Sequence, residues 1–169
     1  IGYGSSTKRE EFSLAVTMRT PGADEELARG FLLSEGIVSN PTQILSARYC
    51  LQAEQPENTI KVELDNDLPF SPEKFRRNFY ASSSCGVCGK AALDAITNQL
   101  PQTKFKGGLI SRNVLFGLTN SIGEHQNTFK HTGGLHAAAL FDTGGELLTL
   151  REDIGRHNAL DKLIGVCAM

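Results

Sequence analysis

The stretch that most restricts the fold is Leu135 to Cys167, "LHAAALFDTGGELLTLREDIGRHNALDKLIGVC". Two runs of strand-forming residues, Leu135 to Phe141 and Glu146 to Arg151, flank Asp142-Thr143-Gly144-Gly145. That pattern predicts a β-hairpin with a four-residue loop. The second strand runs through a charged junction into a helix, whose apolar face is read as His157, Leu160, Ile164 and Cys167. A hairpin that feeds a helix directly calls for a mixed sheet covered by helices, which is an α/β architecture.

The rest of the chain agrees with that class. Phe12, Leu14, Val16 and Met18 alternate with Ser13, Ala15, Thr17 and Arg19, the period of a half-buried strand. After Pro21-Gly22, the acids Asp24, Glu25 and Glu26 open a helix where the backbone dipole favours negative charge. Leu27, Phe31 and Leu32 supply its buried side, Gly36 ends it, and Gly30 in its middle implies close packing. Ile44 to Leu51 and Thr59 to Leu64 read as strands, and Ser71-Pro72-Glu73 as a helix start. Leu93, Ile96 and Leu100 mark a further helix ended by Pro101, and Ser111 caps one carrying Leu115, Leu118 and Ile122. The Gly/Ser-rich opening, residues 1–11, reads as a loose tail, which leaves residues 12–169 as a single α/β domain.

Charge narrows the function classes. The formal net charge of −2 argues against a general nucleic-acid binder, and no apolar run approaches the length of a membrane helix. No secretory leader is recognisable, and a CxxC in such a chain points to a reducing compartment, which predicts a cytoplasmic protein. The charge is unevenly spread: Ser71 to Arg112 holds seven basic residues against two acids, a balance of +5, so the remainder carries −7. That basic segment contains "SSSCGVCGK" and suits an anionic ligand.

Cysteines stand at 50, 85, 88 and 167, a spacing that makes no secreted disulfide framework. Cys50 and Cys167 lie in apolar runs and read as small buried hydrophobes. Cys85 and Cys88 form a CxxC pair among glycines at the start of a helix-forming run, where free N–H groups and Lys90 favour a thiolate. Three kinds of chemistry suit such a pair. Zinc would need further ligands, with His131, His136 or His157 to complete the set, since there is no second CxxC. A thioredoxin-like dithiol would need a leading buried strand, which "NFYASSS" does not supply. A persulfide carrier needs one nucleophilic cysteine on an open loop, and the serine and glycine flanks fit it best.

Two further segments carry candidate chemistry. In Arg151 to His157, a strand ends and a helix begins at the kind of junction where open α/β sheets bind ligands. Asp153 is a candidate cap there, Arg156 a candidate anion ligand, and His157 a candidate proton carrier. The competing reading of Arg151, Glu152, Asp153 and Arg156 is an ion-pair cluster that fixes the junction. In "TGGLHAAA", two glycines allow close backbone approach before His136, a candidate ligand or a packed core histidine.

Taken together, "SSSCGVCGKA", "TGGLHAAALFD" and "LREDIGRHNALDKLIG", with weaker support from "VTMRTPGADEELARGFLLSEGIV", resemble the formate dehydrogenase accessory sulfurtransferases, the FdhD family. The resemblance runs from about Phe12 to about Val166. It implies an architecture similar to cytidine deaminase, with the family's C-terminal part absent from this chain. It implies an enzyme that accepts sulfur from a cysteine desulfurase as a persulfide, with Cys85 the carrier and Cys88 its partner. The sulfur then passes to the molybdenum (or tungsten) of a bis-guanine-dinucleotide pterin cofactor destined for formate dehydrogenase. That cofactor is a substrate, and no permanently bound cofactor or metal is implied. His136, Arg151, Asp153, Arg156 and His157 are the residues expected to line its binding site, and a homodimer is admitted. A zinc-stabilised module that escorts the pterin cofactor is the main rival. A deaminase-like zinc hydrolase fares worse, because Ser84 precedes Cys85 and His136 is followed by Ala137-Ala138, against the motifs of that chemistry.

Overall fold

Strands β1 (Gly2–Ser5) and β2 (Lys8–Glu11) form an antiparallel hairpin at the start of the chain. The computed structural model describes residues 1–74 and 107–169. Helix α1 (Asp24–Ser34) follows, then β3 (Ile44–Tyr49) and β4 (Ile60–Leu64), and a 3-10 turn at Pro72–Lys74, where a helix start was expected. Beyond residue 107 come α2 (Arg112–His125), α3 (Asn127–Thr132), β5 (His136–Phe141), β6 (Leu147–Asp153) and α4 (Arg156–Cys167). The mixed α/β class is as expected.

The first four strands make one sheet in the order β2-β1-β4-β3. β3 and β4 are antiparallel, while β1 meets β4 in parallel at Gly2 and Glu63. The opening residues are therefore part of a sheet, not a loose tail. Arg9 explains the difference, since its guanidinium bonds the Gly2 and Gly4 carbonyls on β1 and reaches the Glu63 carboxylate and Leu64 carbonyl on β4.

Leu32, Ile37, Val38, Ile44, Ala47, Val62 and Leu64 form a buried cluster between this sheet and the end of α1. Burying a Leu or Ile fully contributes about 1.5–3 kcal/mol, so this cluster is the main source of stability for the sheet. Gly36, with φ of 64°, turns the chain out of α1, and Ile37 and Val38 then donate hydrogen bonds to the Leu32 carbonyl.

The hairpin β5–β6 packs on α4, and α4 packs on α1. The α1–α4 contact is unusually close. A methyl group on Gly30 would run into the Asp161 carbonyl, and one on Gly165 into the Glu26 carbonyl. The close packing expected at Gly30 is thus present, with α4 as the neighbour.

Two expectations give way. Residues 12–20 form no strand, and Val16 and Met18 stand 93% and 80% exposed. The backbone of residues 18–20 bonds to side chains of the β6–α4 junction instead of to a neighbouring strand. On α4 the buried residues are Ala159, Asp161, Lys162, Leu163 and Gly165, while His157, Leu160 and Cys167 are exposed. The small residues Ala159 and Gly165 let α1 approach, and Lys162 finds an ionic partner inside, so α4 is turned away from its most apolar stripe.

Candidate functional site

The charged junction at the end of β6 is built from three consecutive side chains, each anchoring a different helix. Arg151 forms a two-pronged ion pair with Glu26 on α1, and also donates to Thr149 Oγ1 and the Leu150 carbonyl. Glu152, on the opposite face of the strand, accepts hydrogen bonds from the Thr128 and Phe129 N–H groups at the start of α3. Asp153 turns inward and meets Lys162 on α4 at 2.8 Å. Alternation of side chains along a strand explains the division, since residues 151 and 153 share one face and 152 takes the other.

Asp153 is fully satisfied. Besides Lys162, its carboxylate accepts from the N–H of Thr20, the N–H of Gly155 and the amide of Asn158. Lys162 in turn donates to the Thr20 carbonyl at 2.7 Å, and Thr20 Oγ1 accepts from the Ile154 N–H. Asn158 adds a bond to the Met18 carbonyl. The segment "TMRT", whose first three residues were expected to end a strand, is thus strapped across the junction by side chains far along the chain.

Asp153 does not cap α4. Gly155 holds the N-cap position without a side-chain hydrogen bond, and Asp153 closes the turn just before it. The N-terminal end of a helix is the positive end of its dipole, and this entrance presents that end. Arg156 and His157 are exposed beside it. Such an entrance with a guanidinium and an imidazole is suited to phosphate or another anion.

His136 joins this end of the hairpin, because its register partner is Asp153. It is exposed at the first position of β5. The structure therefore gathers His136, Asp153, Arg156 and His157 at one end of the hairpin, with Arg151 two residues back and committed to Glu26. Cys85 and Cys88 lie outside the described residues. Among the described residues no group of three His, Cys, Asp or Glu side chains is arranged to hold a metal ion, and no helix is long and apolar enough to cross a membrane.

A second network supports the strap from outside. Arg19 forms a two-pronged ion pair with Asp24, which also accepts from the Tyr49 hydroxyl. Burial disfavours the Asp24 carboxylate, but the hydrogen bonds from Arg19 and Tyr49 outweigh it and hold its pKa below the ordinary value.

Sequence patterns did not single out Thr20, Asn158, Asp161 or Lys162. Their roles depend on partners distant in sequence, and buried charge leaves no trace in an apolar pattern. Of the two isolated cysteines, Cys50 is half-buried and Cys167 is exposed, where buried hydrophobes were expected. Cys167 lies on the outward side of α4, which explains its exposure.

Comparison with known proteins places this arrangement in a family. The model of the FdhD/NarQ family matches residues 8–169, and the chain belongs to that family. It is 43% identical over 161 residues to the sulfur carrier protein FdhD of Mycolicibacterium paratuberculosis, covering 90% of this chain and 58% of that protein. The sulfur carrier protein FdhD of Sulfurisphaera tokodaii is 44% identical over 153 residues, covering 90% and 54%. A crystal structure from Desulfotalea psychrophila, described as that of a formate dehydrogenase accessory protein, shares the fold with a TM-score of 0.63 at 19% identity. That match covers 99% of this chain and 57% of the other. The chain thus spans little more than half the length of these curated relatives.

Proposed function

We propose that this chain acts in a sulfurtransferase reaction and carries sulfur as a persulfide on Cys85. The thiolate of Cys85 attacks the outer sulfur of a persulfide on a cysteine desulfurase. A new sulfur–sulfur bond forms at Cys85, and the desulfurase cysteine leaves as a thiolate. Cys88 stands three residues on as its partner. The sulfur is then delivered to the molybdenum (or tungsten) of a bis-guanine-dinucleotide pterin cofactor, which serves formate dehydrogenase in the cytoplasm. A cytidine deaminase-like architecture belongs to the same reading.

The observation that carries it is the likeness, at 43–44% identity over nine tenths of the chain, to proteins named as sulfur carriers. The junction supports it. A helix entrance with exposed Arg156 and His157 suits the pyrophosphate groups of a dinucleotide, and His136 sits at the same end of the sheet. Arg151 and Asp153 serve the site by fixing the frame on which Arg156 and His157 stand.

Intact mass spectrometry after incubation with a cysteine desulfurase and cysteine tests the proposal. The expected result is a mass gain of one sulfur atom that is lost in Cys85→Ala. No gain, together with one zinc ion per chain in the purified protein, would overturn it in favour of a zinc-stabilised module that escorts the cofactor.

A further inference from the structure

Two carboxyl groups beside the helix entrance, those of Asp161 and Glu35, have no part in the scheme above. Asp161 lies one helical turn after His157 on α4, so the two side chains share a face. It is only 8% exposed, at the tight contact between α4 and α1. Ser34, the last residue of α1, donates its hydroxyl hydrogen to Asp161 Oδ1 at 2.7 Å. Glu35, next along, acts on the same carboxyl by its negative charge, and His157 acts on both carboxyls by its positive charge. Lys162 is adjacent in sequence, but its ammonium is taken by Asp153 and the Thr20 carbonyl. Glu35 and His157 are thus the charged groups that bear on Asp161 among the described residues.

We infer that Asp161 is a positioning residue, which links the charge of His157 at the helix entrance to the α1–α4 contact. The inference rests on the reading of that entrance as part of the sulfur-transfer site. Burial, reinforced by Glu35, raises the Asp161 pKa to about 6 despite the opposing effects of Ser34 and His157. Burial raises Glu35 as well, and His157 opposes it. A carboxyl that titrates close to neutrality, one turn from an imidazole, senses whether that imidazole is charged.

The linkage is measurable without any sulfur chemistry. Side-chain carboxyl carbon NMR on the full chain follows the titration midpoint of Asp161 in the wild type, His157→Gln and Glu35→Gln. The midpoint is expected to rise by about half a pH unit in His157→Gln and to fall by a similar amount in Glu35→Gln. Both residues keep part of their surface exposed, and an unchanged circular dichroism spectrum checks that each variant retains the fold. Midpoints unchanged in both variants, or an Asp161 that titrates like an ordinary carboxylate, overturn the inference. Persulfide loading of Cys85, measured separately by mass, reports on the sulfur-transfer reading, so the two failures are distinguishable.

Discussion

Asp153 and Lys162 form an ion pair at 2.8 Å with side chains 0% and 2% exposed, directly beneath the helix entrance that bears Arg156 and His157. Every remaining hydrogen-bonding position of the carboxylate is occupied, and the ammonium also holds the Thr20 carbonyl. Removing one partner leaves the other charged and buried. Lys162→Met is therefore expected to cost about 3–5 kcal/mol in denaturant unfolding. The double variant Lys162→Met with Asp153→Asn should recover part of that loss, and strict additivity of the two single effects would disprove the pairing.

The helix contact gives a contrast between two glycines. Gly30 faces the Asp161 backbone, so Gly30→Ala must push α1 and α4 apart and should cost more than about 4 kcal/mol. Gly117, inside α2, has nothing within 4 Å of the same position. Gly117→Ala should leave stability unchanged or raise it by up to about 1 kcal/mol, as expected for a helix interior. Thermal unfolding of the two variants decides the matter, and equal effects would contradict the close contact.

Two buried carboxyls should impose opposite pH dependences. Asp161 has a raised pKa in the folded chain, so its contribution is full below the ordinary carboxylate range and is lost as pH rises towards about 6. Asp161→Asn keeps an acceptor for Ser34 and should be the more stable form near pH 7, by on the order of 1–3 kcal/mol. Asp24 has a lowered pKa, so its contribution is present above the ordinary range and is lost as pH falls through the lowered value. Asp24→Asn should therefore flatten the acid side of the stability curve. Urea unfolding from pH 3 to pH 8 separates the two, and an Asp161→Asn curve parallel to wild type would refute the first.

Arg156 is exposed at the helix entrance. Arg156→Ala is expected to weaken binding of guanine nucleotides about tenfold, as loss of one charge-assisted contact implies. Persulfide loading of Cys85 should be spared. Equal loss of both in calorimetry and mass analysis would mark a folding defect instead.

Much of the framework was legible locally. Acids at 24–26 with Gly36 at the far end bounded α1, Ser111 capped α2 through the Val114 N–H, and the Asp142–Gly145 loop joined β5 to β6. These signals lie within a few residues of the elements they define. What escaped were features set by distant partners. Residues 2–11 join a sheet because Arg9 finds Glu63 and Leu64, and residues 12–20 forgo a strand because Asn158, Asp153 and Lys162 take up the chain. On α4 the apolar stripe was visible, but the buried face follows Gly165 and Lys162. At the candidate site, the positions of Arg156 and His157 followed from the motif, whereas Arg151 and Asp153 proved to be engaged with Glu26 and Lys162.

The strap from Thr17 to Thr20 has a practical meaning for anyone who divides this chain. The motif "REDIGRHNALDK" does not carry its own shape, because the Asp153 and Lys162 side chains close on the Thr20 backbone from the other half of the protein. Residues 1–74 and 107–169, produced as two polypeptides, each hold one face of a single bonded seam. A shortened piece that keeps the signature but omits residues 17–20 would retain the letters of the site and lose its geometry.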